Sequence, residues 1–136
     1  MWDQRKMRFT VVLAGWRRQY VMGRLLRAGI PFRSFERPPI GVIRDLYAAI
    51  DLYMVTARYE GGPQSVVECA AMEVPIVSTP VGLAPTILAP ESVGYDVADL
   101  LPVLPSATTL ARHNVERLFL PHGLQSFHEL FDQVRR

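Results

Sequence analysis

The stretch 51-DLYMVTARYEGGPQSVVECAAMEVPIVST-79 decides the fold. Residues 51–56 put Leu-Tyr-Met-Val in a short apolar run, the signature of a buried strand. Gly61-Gly62-Pro63 breaks it, and residues 63–73 then read as a helix that is apolar nearly all round. Residues 75–79 (PIVST) form the next strand. A strand, a helix and a second strand in this order imply a crossover connection and parallel pairing.

Outward from that unit the same alternation continues. Residues 9–14 (FTVVLA) predict a strand ended by Gly15, and 17–28 predict a helix with Val21, Met22, Leu25 and Leu26 on one stripe. Gly29-Ile30-Pro31 is a break, 32–35 a short strand, Pro38-Pro39 a loop and 42–49 a helix. A short helix is expected at 84–89, then two more at 106–118 and 122–135. The fold class is therefore α/β, a doubly wound parallel sheet with C-terminal helices over 106–136. The last helix carries Leu124, Phe127, Phe131 and Val134 on one face, read as core packing, with an exposed docking face as the alternative.

The chain has 136 residues, 49% hydrophobic and 21% charged, which suits one domain and excludes disorder and low-complexity character. No stretch of about 18 residues is free of charge, so no membrane span is expected. The run 9–14 is too short for a signal-peptide core, and Cys69, alone, excludes an internal disulfide framework and a cysteine zinc site. These features predict a cytoplasmic protein. The net charge of +2 hides an asymmetry. Residues 1–44 hold ten basic side chains against Asp3 and Glu36, a balance of +8, and the remainder is −6. That bias reads either as a solvated, arginine-rich face or as attraction to an anionic partner, with peripheral membrane contact among the forms it could take. No helix-turn-helix or aromatic-basic interleaving points to nucleic acid.

In a parallel sheet, ligands bind beyond the carboxyl ends of the strands. The turn Arg58-Tyr59-Glu60-Gly61-Gly62-Pro63 stands there, and its two glycines permit a sharp bend and close approach of a ligand. Pro63 suits the first helical position, leaving the amides of Gln64, Ser65 and Val66 to face an anion such as phosphate. Glu68 is a lone carboxylate on an apolar helix and needs donors. The vicinal hydroxyls of a ribose would donate two hydrogen bonds to it. A solvent edge or an arginine would satisfy it equally, and the glycine-proline turn reads also as a plain turn. Glu60 stands at the other end of a ligand laid across the helix start.

Residues 51–79 resemble the C-terminal half-domain of glycosyltransferase family 4, which has the GT-B fold. That family carries Glu-x7-Glu, here Glu60 to Glu68, within a pattern matched by Arg58, Glu60, Gly61, Pro63, Ser65, Glu68 and Ala71. Its following Gly-x-Pro-x-Val-x-Thr-x-x-Gly is matched by Pro75, Val77, Thr79 and Gly82, and its preceding Leu-Tyr-x-x-x-Asp by Leu46, Tyr47 and Asp51. The resemblance implies that the chain is one Rossmann-like nucleotide-sugar-binding domain over 1–136. Glu60 would be the catalytic contact to the donor sugar. Gly61, Gly62, Pro63, Gln64, Ser65 and Val66 would hold sugar and diphosphate, Glu68 the ribose, and the loop at 35–37 would lie near the base. Donors would be nucleotide-diphosphate sugars, and transfer to a saccharide, lipid or protein acceptor would retain anomeric configuration, with neither metal nor cofactor. Charge developing on the leaving diphosphate would be met by preorganised amides and cations in place of a metal.

Three departures stand out. Glu73 replaces the family's glycine, Gly15 stands without a second glycine, and the family's Gly-Arg…Lys-Gly clamp and N-terminal acceptor domain have no counterpart in these 136 residues. The isolated chain is therefore expected to be inactive. Two other readings are a non-catalytic nucleotide-sugar or protein-binding module derived from such an enzyme, and an unrelated flavodoxin-like domain, against which the Glu60/Glu68 pattern argues. His113, His122 and His128 read as surface residues, Cys69 as an inert core thiol, and Ser65 lacks the Gly-x-Ser-x-Gly setting of a nucleophile.

Overall fold

The computed structural model describes residues 8–96, 100 and 105–135. Asp3, Arg5, Lys6, Asp99 and Arg136, which enter the charge balance, lie outside the described residues. The chain divides into two compact units, 1–50 and 51–136.

In the first unit β1 (Val11–Ala14) pairs in parallel with β2 (Phe32–Phe35), with Val11 opposite Phe32 and Ala14 opposite Phe35. The crossover between them is α1 (Gln19–Arg27), and α2 (Ile40–Ala49) comes next in the chain. Gly15 ends β1 with φ +110° and donates its amide to the Phe35 carbonyl at 3.0 Å. The α1 stripe is only half covered: Met22 and Leu25 are half-buried while Val21 and Leu26 are exposed. Arg24 and Arg27 occupy the last turn, where the helix dipole favours cations.

In the second unit β3 (Tyr53–Val55) pairs in parallel with β4 (Ile76–Ser78) through α3 (Gln64–Ala71). β4 is buried along its whole length and forms a parallel bridge from Ser78 to Val93 on its other side. α4 (Ala84–Ile87) and α5 (Pro105–Glu116) complete the packing, and α6 (Gln125–Val134) ends the chain. The core is small-residue packing. Val66, Cys69 and Ala70 of α3 meet Ala107, Ala111 and Val115 of α5, whose i, i+4, i+8 spacing makes one face. Arg112 donates to the Ala71 carbonyl at the end of α3, and Asn114 Nδ2 to the Ile87 carbonyl at the end of α4 at 2.9 Å. One helix, α5, thus closes the open carbonyl ends of two others.

The α/β class and the parallel pairing agree with expectation, and among the described residues each unit holds one parallel strand pair. One reading is corrected. The stripe on α6 is not core: Leu124, Phe127, Phe131 and Val134 are 47–77% exposed. Amphipathic spacing fixes which side chains share a face, and it cannot supply the surface that would cover them. α3, apolar nearly all round, buries Val66, Cys69 and Ala70 and leaves Val67, Glu68 and Ala71 half-open.

The helix end at Glu73 shows how the chain turns without the family's glycine. The Val74 amide reaches back to the Cys69 carbonyl at 2.9 Å and that of Glu73 to Ala70 at 3.1 Å, the reciprocal pair of a Schellman motif. α1 closes identically, with Ile30 bonded to Leu25 and Gly29 to Leu26. The central residue must be left-handed, and it is: φ +67° for Gly29 and +57° for Glu73. Glutamate accepts that conformation against the clash of its Cβ. Glu73→Gly is expected to raise the unfolding free energy by about 1 kcal/mol, read from the urea midpoint at unchanged slope.

Candidate functional site

The turns that leave β3 and β4 set the site. The Thr79 amide donates to the Val55 carbonyl at 3.0 Å, continuing the ladder one step past β4. Its hydroxyl donates to the Ala57 carbonyl at 2.6 Å, pinning the first residues of the turn that leaves β3. Val81 bonds back to the Thr79 carbonyl at 2.8 Å, and Gly82 comes next with φ +49°. The two turns interlock at this glycine. A Cβ there would lie 2.7 Å from Pro63 Cδ and 3.0 Å from Gly62 Cα, so only a bare α-carbon fits.

Between these turns opens a cleft of about 820 Å³, lined by Arg58, Tyr59, Glu60, Gly61, Pro80, Val81, Gly82 and Tyr95. Glu60 and Gly61, both expected, stand on its wall. Gly62 and Pro63 form the contact under it, against Gly82. Arg58 is the cation among the lining residues, while Tyr59 and Tyr95 are more than 90% exposed beside it. Tyr95 gave no signal in sequence; the bridge from Ser78 to Val93 carries it there. Arg58 and Gly82 were legible as parts of the quoted patterns.

The start of α3 departs from expectation by one residue. Pro63 is the N-cap, not the first helical residue, and its carbonyl accepts the Val66 amide at 2.9 Å. Val66 itself is fully buried. The amides of Gln64 and Ser65 precede any intrahelical acceptor. Glu68 sits a turn further along α3, half-buried and outside the cleft lining. The structure therefore gathers Glu60 and Gly61 into one opening and leaves Glu68 apart from it. No three histidine, cysteine or acidic side chains among the described residues converge as metal ligands. Among the described residues no helix is long and apolar enough to cross a membrane.

Cys69 occupies the buried face of α3. Burial, and next to it the Glu68 carboxylate, push its thiol from 9.0 up to about 12. A thiol harder to ionise in the folded chain has no effect on stability below pH 9.0, where both states hold the proton, and penalises the fold as pH rises from 9.0 toward 12. The unfolding free energy is expected to fall across this window more steeply in the parent than in Cys69→Ala; parallel profiles in denaturant titrations would contradict it. Gly82→Ala is expected to cost roughly 1–3 kcal/mol through the collision with Pro63 and the left-handed backbone. Calorimetric melting measures it.

Comparison with known proteins places this geometry. The profile of the family described as glycosyl transferases group 1 matches residues 2–112. A sucrose-phosphate synthase from Thermosynechococcus elongatus superposes with a TM-score of 0.69 at 17% identity, over 93% of this chain and 38% of that one. AviGT4, a glycosyltransferase involved in avilamycin A biosynthesis, superposes with a TM-score of 0.63 at 22% identity, over 90% of this chain and 42% of its own. The chain thus spans about two-fifths of the length of each. No curated protein sequence matches it significantly. The two superpositions show the fold, the Rossmann-like C-terminal type of GT-B glycosyltransferases. With most of its residues inside the family profile, the chain belongs to the group 1 glycosyl transferases.

Proposed function

We propose that the chain is the donor-binding part of a retaining glycosyltransferase of family 4 that takes a nucleotide-diphosphate sugar. The observation that carries this is the interlock of the turn at 58–63 with Gly82. It fixes Glu60 and Arg58 on one cleft wall beyond the carboxyl ends of two parallel strands. Glu60 accepts hydrogen bonds from sugar hydroxyls in this reading. The amides of Gln64 and Ser65 face the diphosphate, aided by the dipole of α3. Arg58 supplies a guanidinium on the same cleft wall. As the bond from the anomeric carbon to the diphosphate breaks, negative charge grows on the phosphate and positive character on the sugar. Fixed donors on one side and a carboxylate on the other stabilise both without reorganising.

Glu68 binds the ribose diol in the same reading, as acceptor of two hydroxyl hydrogen bonds. Its half-open position on α3 leaves it reachable by a ligand edge.

Titration calorimetry with UDP, GDP and their sugar conjugates tests both halves. Binding is expected in the micromolar-to-millimolar range. Glu68→Gln weakens every nucleotide by about 1–3 kcal/mol, and Glu60→Gln weakens only the sugar conjugates. Equal affinity of parent and Glu68→Gln removes the ribose role. Turnover by residues 1–136 alone would overturn the expectation that this chain binds donor without transferring it.

A further inference from the structure

Two aromatic rings stand bare at the cleft of the second unit. Tyr59 and Tyr95 are 93% and 92% exposed, the two highest values among the large apolar and aromatic side chains described; Ile40 follows at 84%. Both line the same cleft, and they reach it by different routes. Tyr59 precedes Glu60 in the turn that leaves β3. Tyr95 stands two residues beyond Val93, whose bridge to Ser78 ties that segment to β4. Single apolar side chains scattered over a surface are ordinary, but here the two extremes meet at one opening. Neither phenol has a hydrogen-bond or ring partner among the described residues, whereas the half-buried Tyr47 and Tyr53 each have an interaction partner.

The rest of the lining is polar. Arg58 offers a forked donor and Glu60 two acceptor oxygens. The aliphatic members are Pro80, half-buried, and Val81, 5% exposed, so the lining gives an acyl chain little apolar surface to bury against. At about 820 Å³ the cleft has the size of a small-molecule site, not the broad face that a protein acceptor covers. A saccharide matches this set of groups. One face of a pyranose is a patch of C–H groups that stacks on an aromatic ring, and its rim carries hydroxyls that pair with a guanidinium and a carboxylate. A tyrosine ring turns about two side-chain torsions only, so ordering it on a sugar costs little entropy.

We propose that the acceptor is a saccharide and that Tyr59 and Tyr95 hold it by stacking on the C–H faces of its rings. This rests on the donor reading of the same cleft, in which Glu60 takes the donor sugar, and it fixes the acceptor class. The two tyrosines act as specificity residues: they select sugars by the face presented to them. A nucleobase stacks on tyrosine as well. In the donor reading, however, the nucleoside end of the ligand lies at Glu68, which is outside the lining of this cleft.

Saturation-transfer NMR on the whole chain with maltotriose, cellotriose and mannotriose tests this. At least one trisaccharide is expected to bind, with transfer strongest to the C–H protons of one ring face. Tyr59→Ala and Tyr95→Ala should each weaken that binding about three- to tenfold, whereas Tyr59→Phe and Tyr95→Phe, which keep the ring, should stay within about twofold of the parent. Both side chains are exposed, so the four variants should melt with the parent. UDP and GDP, titrated calorimetrically, should bind the parent and the alanine variants alike. Failure of all three trisaccharides to bind, or equal binding by the alanine variants, overturns the inference and leaves the donor reading standing. Loss of free-nucleotide affinity in the alanine variants also overturns it, because the rings would then carry the base. A parent that binds no nucleotide removes the donor reading, and the acceptor role with it.

Discussion

The second unit depends on one close approach, that of Gly82 to the Gly62–Pro63 turn. Two loops leave neighbouring parallel strands and touch where a single methyl group would not fit, 2.7 Å from Pro63 Cδ. The Thr79 hydroxyl bond to the Ala57 carbonyl holds the same loops from the strand side. Together these contacts convert a glycine-rich turn, which alone would sample many conformations, into one shape. Everything ascribed to Glu60 and Arg58 presupposes that shape, because a side chain on a wandering loop cannot be preorganised.

Much of this was legible in the sequence, for reasons that differ between elements. β3, α3 and β4 announced themselves because apolar runs and punctuating residues agree there: Gly61-Gly62-Pro63 stops one element and Pro75 starts another. Helix ends moved by a residue or two, as at Pro63, because the last hydrogen bond and not the composition defines an end. What the sequence could not supply was partnership in space. The stripe of α6 has the spacing of a core helix and lies exposed, and Glu68, paired with Glu60 by spacing, stands outside the cleft that holds Glu60. Tyr95 entered that cleft through a single bridge between Ser78 and Val93, a contact with no local sequence code.

Family membership and site chemistry rest on different supports. The profile match covers the strands and helices that build both units, up to α5, and the superpositions at 17% and 22% identity speak for the shared architecture. At such identities the same scaffold carries many substrates, so the donor assignment comes from the residues around the cleft and not from the fold. The first unit adds a second emphasis. Its Arg17 and Arg37 stack on the Trp16 indole at the strand ends, the region where α/β domains place their ligands, and its helices contribute little burial of their own.

The buried position of Cys69 has a practical corollary. A sole thiol with no exposed surface and a depressed tendency to ionise is a poor target for oxidants and alkylating agents. The folded chain is therefore close to cysteine-free from the standpoint of bioconjugation. A reporter cysteine introduced at a solvent-facing position such as Tyr59 could be labelled selectively on the native protein, with the endogenous sulfur left in place.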